Sequence, residues 1–185
     1  RTLRADLFVD ASGMGGVLRR QVPVLARDCR APGRAHICSA AQAVCDIRDG
    51  PASDAFLERH RARPGEILCR PGVSGGYSIG NVCVDVHPDG SRSADLLTGA
   101  IATEAYRSGP AILADLRARH AWIGEKRFGG AGAIPLRRPY DRLAAPGIAL
   151  LGNAACQVFS AHGSGIGIGM VAARMLANAA TLHPD

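Results

Sequence analysis

The sequence predicts a mixed α/β fold. A parallel α/β layer is assembled from the two ends of the chain, and a mainly antiparallel sheet with helices on one face lies between them in sequence. Three observations carry this. Ile148, Ala149, Leu150 and Leu151 form a continuous apolar run, as in a strand buried on both faces, and Gly152 and Asn153 break it at once. Gly163, Gly165, Gly167 and Gly169 then lead into helix-compatible apolar positions at Ile166, Ile168, Met170, Val171, Met175 and Leu176. Between the ends, strand-like runs alternate with turn signals and short amphipathic stretches.

Taken in order, Leu3 to Val9 reads as a strand and Gly15 to Arg20 as a short helical turn. Residues 21 to 34, with Pro23, Pro32 and Gly33, read as loop. Ala35 to Ile47 reads as a strand, although Ala40-Ala41-Gln42-Ala43 suits a helix as well. Pro51 opens a helix carrying Phe56 and Leu57, with Ser53 or Asp54 as cap, and it stops before Pro64-Gly65. Glu66 to Cys69 and Tyr77 to Val86 read as strands, the second partly alternating at Ile79, Val82, Val84 and Val86. His87-Pro88-Asp89-Gly90 is a turn. Ala94 to Tyr106 reads as a helix through Leu96, Leu97, Ile101 and Ala105, and Gly109-Pro110 starts another through Ile112, Leu113 and Leu116. Lys126 to Leu136 is extended and glycine-rich, and Pro139 to Pro146 is a connector. The expected layout is therefore discontinuous: residues 1–20 and 136–185 in one domain, 21–135 in the other.

The glycine run admits two readings. Glycines at the start of a helix allow tight helix–sheet packing, or they let a ligand approach the backbone. A helix N-terminus offers free N–H donors and partial positive charge, which suits an anionic or carbonyl-bearing ligand.

Gly152-Asn153-Ala154-Ala155, followed by Gly163, Gly165 and Gly167, resembles the second cofactor fingerprint of FAD-dependent flavoproteins of the aromatic hydroxylase and geranylgeranyl reductase superfamily. The N-terminal run Ala5-Asp6-Leu7-Phe8-Val9-Asp10-Ala11-Ser12-Gly13, continued by Gly15, Gly16, Val17, Leu18 and Arg19, resembles the strand and cofactor-contacting loop of the same superfamily. The two motifs occur in the family's order, and the loose likeness runs over most of the chain. The Asp10-Ala11-Ser12-Gly13 form leans toward the geranylgeranyl reductase-like branch. The resemblance implies a partial FAD/NAD(P)-binding Rossmann-like layer, a middle sheet serving as substrate domain, and FAD as cofactor with NAD(P)H as electron donor. It implies cofactor contacts at Ser12, Gly13, Arg19, Gly152, Asn153, Gly163, Ser164, Gly165, Ile166 and Gly167. The implied reaction is reduction of a carbon–carbon double bond, or hydroxylation, of a hydrophobic or lipid-like substrate.

Several residues depart from the pattern. Asn153 stands where the family has aspartate, so its contact to a ribityl hydroxyl lacks charge assistance. Ser160 replaces a common loop proline, and Ser12 stands where the hydroxylases have aspartate. Near Tyr77, Ile79 replaces the tryptophan of the prenyl-reductase motif Tyr-x-Trp-x-Phe-Pro. The halogenase tryptophan signature is absent, since Trp122 is the single tryptophan. No strand runs into G-x-G-x-x-G, the turn that holds the ADP half of FAD. The expectation is a fragment of a longer flavoprotein whose parallel layer lacks central strands and exposes apolar edges. The rival from another class is a non-catalytic ligand-binding module that uses the same pocket.

Candidate catalytic side chains are His162, beside the glycine run, and Tyr77, on the expected substrate-facing strand. Each has a plainer role open to it, loop hydrogen bonding for His162 and packing for Tyr77. No G-x-S-x-G elbow supports a hydrolase. The six cysteines show no Cys-x-x-Cys pair and no zinc spacing, so no metal is expected; Cys38, Cys45 and Cys83 read as buried thiols. Cys156 reads as packing, with proximity to a flavin as the alternative. The net charge of +6 comes from scattered arginines, with Lys126 the only lysine, and the few aromatics give no stacking platform for nucleic acid. The arginines also suit anionic cofactor phosphates or lipid headgroups at a membrane surface. No apolar run approaches the ~18 residues needed to span a membrane, and the expected location is cytoplasmic.

Overall fold

The computed structural model describes residues 2–103, 107–159 and 165–182. The chain forms two compact units, one from Arg1–Ile37 with Ile134–Asp185 and one from Cys38–Ala133.

In the first unit, β1 (Phe8–Asp10) pairs in parallel with β8 (Ile148–Leu150), and β8 pairs antiparallel with β7 (Ala144–Ala145). The strand β1 is shorter than the expected Leu3–Val9 and lies at the edge of this sheet. Residues 21–34, expected as loop, contain α1 (Pro23–Asp28). Pro23 suits the first turn, where an N–H has no helical partner, and Leu25 and Cys29 anchor α1 in a core with Tyr140, Ile148, Leu150, Ala155 and Cys156. That packing places residues 21–37 in the first unit. The helix α4 (Ile166–Leu182) has no buried residue, and Ile166, Met170, Val171 and Met175 are all exposed. Together with half-exposed Phe8 and Val9 on β1, this leaves an apolar surface on the layer.

The second unit is built on a five-stranded sheet in the order β3 (Leu68–Pro71), β4 (Ser78–Val86), β5 (Arg92–Ile101), β2 (Ile37–Ile47), β6 (Ile123–Pro135). The pairs β3–β4, β4–β5 and β5–β2 are antiparallel. The helices α2 (Gly50–His60) and α3 (Gly109–Arg119) pack on the same face. There Phe56, Leu57 and Leu116 meet Ala43, Cys45, Val82, Val84, Ala94 and Leu96.

The expected helix from Ala94 to Tyr106 is instead the strand β5, with Glu104, Ala105 and Tyr106 outside the described residues. Ala94, Leu96, Thr98 and Ala100 are buried and register beside Val84, Val82, Gly80 and Ser78 of β4, so period-2 burial replaces the helical reading. A central strand bonded on both edges overrides the helix preference of Ala and Leu. The cap of α2 also differs. The Asp49 carboxylate, not Ser53 or Asp54, accepts from Ala52 N–H at 3.0 Å, while Ser53 Oγ donates to the Gly50 carbonyl at 2.8 Å and Asp54 pairs with Arg92 at 2.7 Å. One glycine here is structural. Gly129 has φ +136°, and a Cβ there would press on the Gln42 carbonyl oxygen and lie 2.8 Å from Ala43 Cα.

Candidate cofactor site

Two loops of the first unit, each following a strand, carry the expected cofactor residues. The loop after β1 turns through a 3-10 segment at Gly13–Gly15, and the loop after β8 through one at Gly152–Ala155. A buried polar network holds them. Asp10, 1% exposed, accepts from Ser12 N–H at 3.0 Å, Ser12 Oγ at 2.5 Å and Arg19 N–H at 2.7 Å. Burial alone raises a carboxyl pKa. Here the Ser12 hydroxyl and the backbone N–H groups of Arg19, Ser12 and Leu18 outweigh it and hold Asp10 below its usual range.

Arg19 lies in the interior, 2% exposed. Its guanidinium donates to Tyr140 Oη at 2.7 Å and to the Ala154 carbonyl at 3.1 Å. Tyr140 in turn donates to the Arg30 carbonyl at 2.7 Å. Arg19 therefore bolts the first loop to the second, acting through its neighbours as a positioning residue. The Ser12 hydroxyl is likewise turned inward, donating to Asp10 and accepting from Val17 N–H at 2.8 Å. Cys156, 0% exposed, packs with Leu25, Cys29 and Tyr140 in the core, and all six cysteines are free thiols.

The remaining backbone is open. Gly13 and Gly152 have φ of +69° and +64°, and a Cβ at either would meet nothing within 4 Å. The same holds at Gly167 and Gly169 in the first turn of α4. At Gly165 a Cβ would make only ordinary contacts, 3.5 Å to Val158 and 3.8 Å to Asn153 Oδ1. The left-handed backbone favours glycine at Gly13 and Gly152, while among the described residues no packing requires it at Gly165, Gly167 or Gly169. The N–H groups of Ile166, Gly167 and Ile168 precede the first bond of the helix, Gly169 N–H to the Gly165 carbonyl at 2.8 Å. Small residues, helix-start N–H groups with no acceptor among the described residues, the positive end of a 17-residue helix and an amide oxygen beside it fit the carbonyl-bearing edge of a flavin and its polyol chain. His162, Gly163 and Ser164 lie outside the described residues.

In the second unit, Tyr77 begins a face of the sheet that carries no helix. Ile79, Asn81 and Cys83 of β4 lie beside Gly99, Leu97 and Asp95 of β5, which lie beside Ala40, Gln42 and Val44 of β2. Tyr77 and Leu97 are exposed. Burial, then the neighbouring Cys38, raises the Tyr77 phenol above its usual range. A cavity of about 290 Å³ on this unit is lined by residues including Gln42, Asn81, Cys83, Asp85, Asp95 and Leu97. The Cys83 thiol donates to Asp85 at 3.4 Å and is pushed up to about 11 by burial and then by that carboxylate.

Asp95 is raised by burial, and Asp85 adds to the rise against a 3.1 Å hydrogen bond from Ser93 Oγ. A raised carboxyl contributes stability that is fully present below its unfolded pKa, about 4, and is lost as pH rises through its folded pKa. Asp95→Asn is therefore expected to stabilise the protein at neutral pH and to leave it unchanged in acid. Urea melts at the two pH values check this, and an equal shift at both would contradict the assignment.

Sequence reasoning missed Asp10 and Tyr140 as the partners that position Arg19. Arg19 is followed by Arg20 and Gln21, so the sequence gives no sign that its guanidinium is buried, and nothing local points to Tyr140, 121 positions away. Among the described residues, no group of His, Cys, Asp or Glu has an arrangement for a metal ion, and no helix is long and apolar enough to cross a membrane.

No protein-family model and no curated protein matches the sequence. Solved structures do match. A geranylgeranyl bacteriochlorophyll reductase-like protein from Thermoplasma acidophilum superposes with a TM-score of 0.65 at 20% identity, over 95% of this chain and 42% of its own. A flavin-dependent halogenase from Xanthomonas campestris gives 0.52 at 15% identity, over 95% of this chain and 31% of its own. A tryptophan C-6 flavin-dependent halogenase (chlorinase) from taromycin biosynthesis gives 0.50 at 18% identity, over 95% and 30%. The chain spans less than half the length of these structures. The likeness establishes the fold as one shared with flavin-dependent proteins.

Proposed function

We propose that the chain is the substrate-facing sheet and part of the cofactor layer of an FAD-dependent oxidoreductase of the geranylgeranyl reductase-like kind. The observation that carries this is the set of glycines at Gly13, Gly152, Gly167 and Gly169, which face open space, on loops held by buried Asp10 and Arg19. Left-handed backbone by itself favours glycine at Gly13 and Gly152, whereas at Gly167 and Gly169 neither backbone conformation nor any described neighbour calls for it.

FAD, when bound, supplies the hydride or oxygen chemistry that no side chain here supplies. The backbone of Gly13, Gly152, Gly165, Ile166 and Gly167 would hold the flavin, with Asn153 accepting from its polyol chain and Gly163, Ser164 and His162 completing the loop. The start of α4 would stabilise negative charge at the flavin's carbonyl edge through its first N–H groups and the helix dipole. Tyr77 is suited to give a proton to a substrate carbon or oxygen. The helix-free sheet face, with Ile79 and Leu97, suits a hydrophobic substrate undergoing double-bond reduction or hydroxylation, with NAD(P)H as the electron source. The ADP half of the cofactor would be held by an α/β segment outside these residues, alongside the unpaired edge of β1.

Titration of FAD with the purified chain tests the reading. Saturable quenching of flavin fluorescence is expected, weak enough to be lost on desalting. Retention through desalting is expected once a G-x-G-x-x-G-bearing α/β segment is joined to the chain. Absence of saturable quenching in both forms would overturn the enzyme reading in favour of a non-catalytic binding module.

A further inference from the structure

A cavity of about 630 Å³ lies on the helix-bearing side of the second unit, between the two ends of α2 and the turn after α3. Three guanidinium groups line it, Arg48 before α2, Arg59 in its last turn and Arg119 at the end of α3. Among the described residues no carboxylate forms an ion pair with any of them, whereas Arg27, Arg92, Arg107, Arg127, Arg138 and Arg142 are all paired. The one acid lining the cavity, Asp49, is engaged by Ala52 N–H as the cap of α2. The floor is aromatic: the Phe56 ring lies 5.0 Å from His120 and 5.2 Å from Trp122. Trp122 is 6% exposed, and its indole N–H has no acceptor among the described residues.

We propose that this cavity is a binding site for a phosphate-bearing ligand, separate from the flavin site and independent of the flavin reading. Three arginines without carboxylate partners around one concavity give it a positive potential, Arg119 Nε donating only to the Asp115 carbonyl at 3.4 Å, and guanidinium forks match phosphate oxygens in geometry. The volume accommodates a small organic phosphate rather than inorganic phosphate alone. The surplus of positive charge is also felt by His120, which burial first, and then Arg70, Arg119, His60 and Arg59, hold below its usual pKa. The phosphate can belong to a soluble ester or to a lipid headgroup, since both present the same oxygens.

Trp122, the single tryptophan, lines the cavity and reports on it directly. Titrating the full chain with pyrophosphate and with glycerol phosphate, at constant ionic strength, is expected to change its fluorescence saturably. Arg59→Gln and Arg119→Gln, both at exposed positions, are each expected to weaken the response about tenfold, as for loss of one charged hydrogen bond. Circular dichroism of both variants checks that the fold persists, and Arg48→Gln serves if either fails to fold. A parallel arm uses vesicles of phosphatidylcholine with and without phosphatidylglycerol. Saturation by the soluble esters supports a soluble ligand, and a response to phosphatidylglycerol vesicles alone supports a headgroup. A linear change that chloride reproduces, or an unchanged response in folded variants, overturns the site.

Discussion

Asp10→Ala is expected to unfold the first unit while leaving the second intact. Ser12 N–H, Ser12 Oγ–H and Arg19 N–H all point at this one carboxylate, which is 1% exposed. Alanine leaves the buried Arg19 N–H without an acceptor and removes both bonds from Ser12, an exposed residue whose donors then turn to water. The unsatisfied Arg19 N–H costs about 1–3 kcal/mol and each lost Ser12 bond about 0.5–1.5 kcal/mol, a loss on the order of 2–6 kcal/mol. That approaches the whole stability of a small domain, about 5–15 kcal/mol. Trp122 belongs to the core of the second unit, so its fluorescence follows that unit alone, whereas far-ultraviolet circular dichroism follows both. In urea, the variant should lose part of its dichroism early and keep the wild-type tryptophan midpoint. Acid adds a second signature. A carboxyl held below its usual pKa contributes stability that is present above the unfolded value, about 4, and is lost as pH falls through the lower folded one. The wild-type first unit should weaken across that interval, and the variant should show no such step. A tryptophan midpoint that moves with the dichroism would mean that the units unfold together and that the network is not local to the first.

This network marks where the sequence stops being legible. The strand Ile148–Leu150, the turn at Gly152 and the helix from Ile166 were readable because apolar runs and glycine breaks are local signals. So were α2 and α3, each announced by a Gly-Pro start. The strand β5 was not, because Ala94 to Ile101 satisfies a helical period as well as an alternating one, and only its pairing with β2 and β4 decides between them. Arg19 shows the same limit at the site. The family resemblance implied a residue reaching toward a cofactor, yet its acceptors Tyr140 and Ala154 lie far along the chain. Contacts made across such separations leave no periodic trace in sequence. The glycines were visible from the start, but their purpose was open until the space around each was known. Gly129 has φ +136° against the β2 backbone and is required by the fold, whereas Gly167 faces nothing within 4 Å.

That contrast gives Gly167→Val its expected outcome. A Cβ there has no described residue within 4 Å, and valine is a slightly better helix residue than glycine, by a few tenths of a kcal/mol. The helix α4 and the thermal stability of the chain should therefore be unchanged or slightly improved. The same two methyl groups would stand in front of the N–H groups of the first turn, where close approach of a ligand needs a bare backbone. Flavin affinity is expected to fall about a hundredfold or more, the loss of roughly 3 kcal/mol of contact and hydrogen bonding. Fluorescence quenching measures the affinity, and circular dichroism with a thermal melt measures the fold. If Gly167→Val keeps both its helix and wild-type quenching, no ligand approaches that turn, and the glycine pattern loses its functional meaning. If helix and quenching are lost together, the residue is structural after all and the open space around it has been misjudged. Only a folded protein that no longer quenches flavin separates what the glycine does for a ligand from what it does for the chain.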